Sequence, residues 1–179
     1  MKHAFPLALV LLLSACGGGS TTTDTTTAMD STATVAPAAT GTPVDLAAHD
    51  LPLLLMAPDK QLLGGAEPQV VWKDEIGRLE VRAGEHFGLT IVEEPGDIAR
   101  KKADLDRDLL RKNTIIKETP ELLVYRSEFP DDPSLVYIHF LQVLKVGDRS
   151  FVVEDIPELR FNEQDVERMA TSISAKQPA

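Results

Sequence analysis

Apolar and polar side chains alternate along several stretches of this chain, and the alternation predicts most of its elements. Leu79, Val81 and Ala83 are separated by Glu80 and Arg82, the period of two that puts one face of a strand on a core and the other in water. Phe87, Leu89 and Ile91 resume the rhythm after Gly84-Glu85-His86, so the two runs predict a hairpin. A second hairpin is predicted from residues 135–146 and 150–155, because Gly147-Asp148 between them suits a tight turn. Further strands are expected at 51–56, 70–73, 114–118 and 122–129.

Two segments change period. Between residues 97 and 113, Ile98, Leu105, Leu109 and Leu110 recur at helical spacing among charged side chains. Asp97 suits the N-cap and Asn113 the stop, which predicts a helix with those four residues on its dry face. A second helix is expected from Asn162, where Asp165 follows three residues on and Phe161 can staple against Val166. Its buried stripe would be Val166, Met169, Ala170 and Ile173. Antiparallel strands interrupted by two amphipathic helices, without a βαβ rhythm, point to an α+β domain: a sheet packed with helices on a face or an edge.

The first part of the chain follows different rules. Lys2 and His3 precede an apolar run over residues 4–13, broken only by Pro6. About ten residues is half the ~20 that a membrane-spanning helix needs, so the run predicts a cleaved export signal over residues 1–15. Residues 17–44 are mostly Gly, Thr, Ala, Ser and Pro, too poor in apolar area to offset the entropy of ordering. Residues 16–45 are therefore expected to form a flexible tether with a root-mean-square span of about 30 Å, and residues 46–179 the α+β domain. Leu13-Ser14-Ala15-Cys16 resembles the lipobox of bacterial lipoproteins, in which an aliphatic and two small residues precede a cysteine. The resemblance implies cleavage before Cys16, lipid on its sulfur and anchoring in a membrane. Gly17, in place of the aspartate that retains many such proteins in the inner membrane, favours the outer membrane facing the periplasm.

Charge and chemistry narrow the candidates. The formal net charge is −10, which argues against nucleic acid as a partner. A single cysteine, Cys16, excludes an intramolecular disulfide. His49, His86 and His139 stand apart in sequence, and no His-Glu-x-x-His, Cys-x-x-Cys, Gly-x-Ser-x-Gly or phosphate-loop pattern occurs; neither a metal nor another cofactor is expected. Asp104, Asp106 and Asp108 open like a calcium loop, but its sixth and twelfth positions are Leu109 and Ile115 instead of glycine and glutamate.

The order of hairpin, central helix, the strand at Pro120-Glu121-Leu122-Leu123-Val124-Tyr125, the strand around Tyr137 to Phe140 and a final helix around Met169 resembles the MOG1/PsbP-like group. That resemblance implies binding or assembly rather than catalysis and assigns no residue a role. The expectation is a lipid-anchored envelope module that binds an envelope protein or a small apolar ligand without catalysis. Trp72, His86, Tyr125, Tyr137 and His139 are its candidate interface residues. The alternative is a hydrolase-type enzyme whose site forms only in three dimensions, with His86, His139 and the acids as its available groups.

Overall fold

Each alternating run can turn its apolar side to a shared core, and the fold follows from that. The structure is a computed structural model describing residues 41–176; the expected signal, Cys16 and the tether up to residue 40 lie outside the described residues. Ten strands form: β1 (Thr42–Val44), β2 (Leu53–Ala57), β3 (Gln69–Lys73), β4 (Arg78–Arg82), β5 (Gly88–Glu93), β6 (Lys112–Glu118), β7 (Leu122–Phe129), β8 (Asp132–Val146), β9 (Arg149–Asp155) and β10 (Ile173–Ala175). Two helices accompany them, α1 (Ile98–Asp106) and α2 (Glu163–Ser172). A seven-stranded sheet runs β3-β4-β5-β9-β8-β7-β6, and a three-stranded sheet runs β1-β2-β10. Every pairing is antiparallel. The described residues are thus α+β and dominated by sheet.

The large sheet buries its two faces separately. On one, Leu79, Val81, Leu89, Ile91, Phe140, Phe151 and Val153 meet Leu53 and Leu55 of the small sheet and Val166, Met169 and Ala170 of α2. On the other, Ile98 and Leu105 of α1 sit on Leu123, Tyr125, Leu141, Val143 and Val152. Burying each large apolar side chain stabilises the fold by roughly 1.5–3 kcal/mol before entropy is counted, so the first face carries most of the stability. The described residues 41–176 fall in one compact unit, and both clusters are built from them alone.

Both expected hairpins form, β4 with β5 and β8 with β9, and Gly147 takes the positive φ of 60° that the second turn requires. The α2 start is as expected: the Asn162 side chain accepts the Asp165 N–H (2.9 Å), and the Asp165 carboxylate accepts the Asn162 N–H (3.2 Å). Phe161 and Val166 lie in one buried cluster, as a hydrophobic staple requires.

Three expectations need correction. The central helix ends at Asp106 rather than near Asn113, and Leu109 and Leu110 are 97% and 78% exposed instead of dry. The Asp108 carboxylate takes the backbone N–H of Leu110 (2.9 Å) and Arg111 (3.2 Å) and also the Arg111 Nε (2.7 Å). That local turn competes with helical continuation, as aspartate side chains commonly do. Thr42–Val44, placed in the tether by composition, forms β1 against β2, with Val44 opposite Leu55. Ile173, expected on the last turn of α2, instead opens β10 and pairs with Leu55, still buried.

Candidate functional site

Strand register decides which candidate residues meet. Tyr125 and His139 are cross-strand partners on β7 and β8, and Ser127 and Tyr137 are the next pair on that face. The rings of Tyr125 and His139 lie 5.2 Å apart, and those of Tyr137 and His139 lie 6.0 Å apart and nearly parallel. On Tyr137 the Arg160 guanidinium sits 5.1 Å from the ring centre. Three of the five candidate residues therefore form one aromatic row on the α1 face of the sheet. The other two lie elsewhere. Trp72 is on β3 and stacks against His49 (6.0 Å, 16° between planes). His86 lies at the start of α2, its Nδ1 3.2 Å from the Asp165 Oδ2, and Asp165 also pairs with Arg168.

His139 is held by a consequence of unequal strand length. β8 spans fifteen residues and β9 seven, and their register stops at Leu141 opposite Glu154. The Phe140 N–H beyond that point has no strand to receive it. The buried Asp155 carboxylate substitutes for the missing carbonyl: its Oδ1 accepts the Phe140 N–H at 2.8 Å, and its Oδ2 lies 2.7 Å from the His139 Nδ1. Both contacts use acceptor oxygens, so Nδ1 is the protonated ring nitrogen. Nε2 has no hydrogen-bond partner among the described residues.

His139 lines a cleft of about 360 Å³ between α1 and the sheet, shared with Tyr125, Arg78, Thr90, Lys101, Asp108, Glu154 and Asp155. The Lys101 ammonium donates to Glu154 at 2.9 Å and lies 5.8 Å from the centre of the Tyr125 ring. Burial pushes Lys101 down, but its interactions with the Tyr125 phenol oxygen and the Glu154 carboxylate outweigh it and leave its pKa raised above the usual value. The ammonium therefore stays charged at neutral pH. Burial pushes the Tyr125 phenol up, with Lys101 opposing and Asp155 and Glu154 adding to the shift. Tyr125 is accordingly a neutral donor. Lys101 and Glu154 also border a broader trough of about 1340 Å³ lined by the N-terminal half of α1, Glu118 to Pro120 and the sheet residues Leu141 and Val152. The smaller cleft is the better candidate because charged, hydroxyl and imidazole groups converge there.

Chemically, the cleft offers an ammonium, a phenol and an imidazole nitrogen within a wall of acids. The Thr90 hydroxyl is directed to the Glu154 carbonyl (3.4 Å), so it is not held by His139 as a nucleophile would be. Among the described residues no group of three His, Cys, Asp or Glu side chains converges as a metal site. Composition had no means of singling out Lys101, Glu154 and Asp155, which are ordinary surface-type residues in sequence. No period or motif marks them, because strand register and the crossing of α1 bring them together. Among the described residues no helix is long and apolar enough to cross a membrane. No protein-family model, curated protein or solved structure matches this chain.

Proposed function

We propose that this chain is an envelope lipoprotein, held at a membrane by lipid on Cys16, whose α+β domain binds a ligand or an envelope partner without transforming it. The observation that supports binding is the cleft between α1 and the sheet. Its donors and acceptors are Lys101 and Glu154, which pair with each other, His139, which the buried Asp155 orients, and the buried Tyr125. Polar groups of both signs suit a small polar or zwitterionic ligand better than the small apolar ligand expected above. The lipobox-like Leu13-Ser14-Ala15-Cys16 supports the anchor, since two or three acyl chains hold a protein durably where one does not.

One observation favours a second reading. A histidine oriented by a buried carboxylate at a cleft is half of a general-base arrangement, and the His139 and Asp155 pair has that geometry. The two readings separate in one set of experiments on the full chain. Labelled palmitate should enter the wild-type protein, and Cys16→Ser should leave the envelope fraction; unchanged fractionation would remove the anchor. Native mass spectrometry of protein released from envelopes should show a bound small molecule or partner that Lys101→Ala or Tyr125→Ala loses. Ester hydrolysis lost in His139→Ala with the bound species unchanged would favour the enzyme instead.

A further inference from the structure

The two edges of the seven-stranded sheet are treated differently. β6, at one edge, is interrupted by a bulge between Ile115 and Lys117. It carries Lys112, Lys117 and Glu118, and it is tied to α1 through Lys102 and Glu118 (2.6 Å) and through the Asn113 amide on the Leu105 carbonyl (3.0 Å). Bulges, charges and covering elements are the devices by which proteins keep an edge from pairing with another chain. β3, at the opposite edge, has no bulge and a single charge, Lys73, at its end; the His49 ring stacks on Trp72 but leaves it exposed. The register of β3 with β4 is unbroken from Gln69 to Lys73, its centre is Val70-Val71-Trp72, and Val71 and Trp72 are 44% and 40% exposed. Among the described residues its backbone bonds go to β4, apart from the Lys73 carbonyl, which accepts the Ile76 N–H. Ile76, in the turn that follows, is also exposed.

We propose that β3 is a self-association site, pairing antiparallel with β3 of a second copy about a two-fold axis through Val71. The strand is self-complementary in that register. Val71 meets its own counterpart, Gln69 faces Lys73, and Val70 faces Trp72. No like charges oppose one another, and two pairs join an aromatic with a β-branched side chain, a favourable cross-strand combination. Side-chain direction agrees. Val70 and Trp72 lie opposite Val81 and Leu79 on the core side of the sheet, while Val71 lies opposite Glu80 on the other side. Each face of the joined sheet then continues its own chemistry across the axis. The pairing would align two domains edge to edge, and a shared membrane would raise their local concentration.

The test uses residues 37–179, which contain both buried clusters and lack Cys16, so that it does not depend on the proposed anchor or on the α1 cleft. Sedimentation velocity over a rising concentration series should show a reversible monomer–dimer equilibrium. Val71→Lys places two ammonium groups on the axis and should weaken the dimer at least about tenfold, a change readily seen as loss of the faster species. Its circular dichroism should match wild type, because Val71 lies at the sheet's edge, outside both buried clusters. Mixing Val71→Lys with Val71→Glu should restore association. A wild-type unit that remains monomeric throughout overturns the proposal. So does a Val71→Lys variant that dimerises like wild type, or a mixture that fails to recover.

Discussion

At the scale of single residues, Asp155 is where stability and the candidate site meet. Its carboxylate serves a backbone N–H that the short β9 leaves unpaired, and the same group orients His139. Asp155→Ala would leave two buried donors without acceptors, each costing about 1–3 kcal/mol. Asp155→Asn keeps one oxygen and should lose less. Urea denaturation of the three proteins measures the order, and equal midpoints would show that the carboxylate does not complete the ladder. Tyr125 and Lys101 make a pH prediction with a definite sign. Both folded values lie above the ordinary 10.0 and 10.5, so the folded chain holds these protons after the unfolded chain has released them. Their contribution is complete below about pH 10 and is lost as pH rises through the folded values. The fall of unfolding free energy with pH above 10 should be shallower in Tyr125→Phe than in wild type. Parallel pH profiles for the two would remove the coupling.

At the scale of elements, caps and local turns set the helix boundaries more than apolar spacing does. The reciprocal capping box of Asn162 and Asp165 satisfies donors at the start of α2, and α2 contributes Val166 and Met169 to the larger core. Asn162→Ala should therefore lower global stability by about 1 kcal/mol, within a range of roughly 0.5–2, while Asn162→Ser should stay near wild type. Chemical denaturation followed by circular dichroism checks this. An alanine variant as stable as the serine variant would mean that the box contributes nothing. At α1 the same logic runs the other way. Apolar spacing carried the expected helix on to Leu109 and Leu110, but the helix ends at Asp106 and the Asp108 carboxylate takes the Leu110 and Arg111 N–H groups instead of letting it resume. The two leucines then project into solvent, since among the described residues nothing covers that turn.

At the scale of the whole molecule, the sheet's order explains why distant candidates meet or part. The arrangement β3-β4-β5-β9-β8-β7-β6 puts Trp72 on an outer strand, Tyr125, Tyr137 and His139 on the adjacent β7 and β8, and leaves His86 at the α2 end. α1 covers the apolar half of one face around Leu123, Leu141 and Val152. It leaves polar side chains such as Glu80, Thr90 and Glu154 along the neighbouring strands. The cleft is the boundary between those halves. The proposed edge-to-edge pairing through β3 and the proposed anchor at Cys16 both concern how such a domain is displayed.

The amino-acid order alone determined the strands of both hairpins, the β7 strand to the residue, and the capped start of α2. These depend on side-chain period and on hydrogen bonds between neighbours, which are local. It also held the charge, the single thiol and the lack of any catalytic spacing, which are matters of count. Tertiary structure alone decided the small sheet, because Thr42–Val44 and Ile173–Ala175 are too short to show a period and become strands only against β2. It alone brought Asp155 to His139 and Lys101 to Glu154. Those pairs arise where β9 ends before β8 and where α1 crosses the sheet, and a chain read in order contains neither a strand's missing neighbour nor a helix's crossing point.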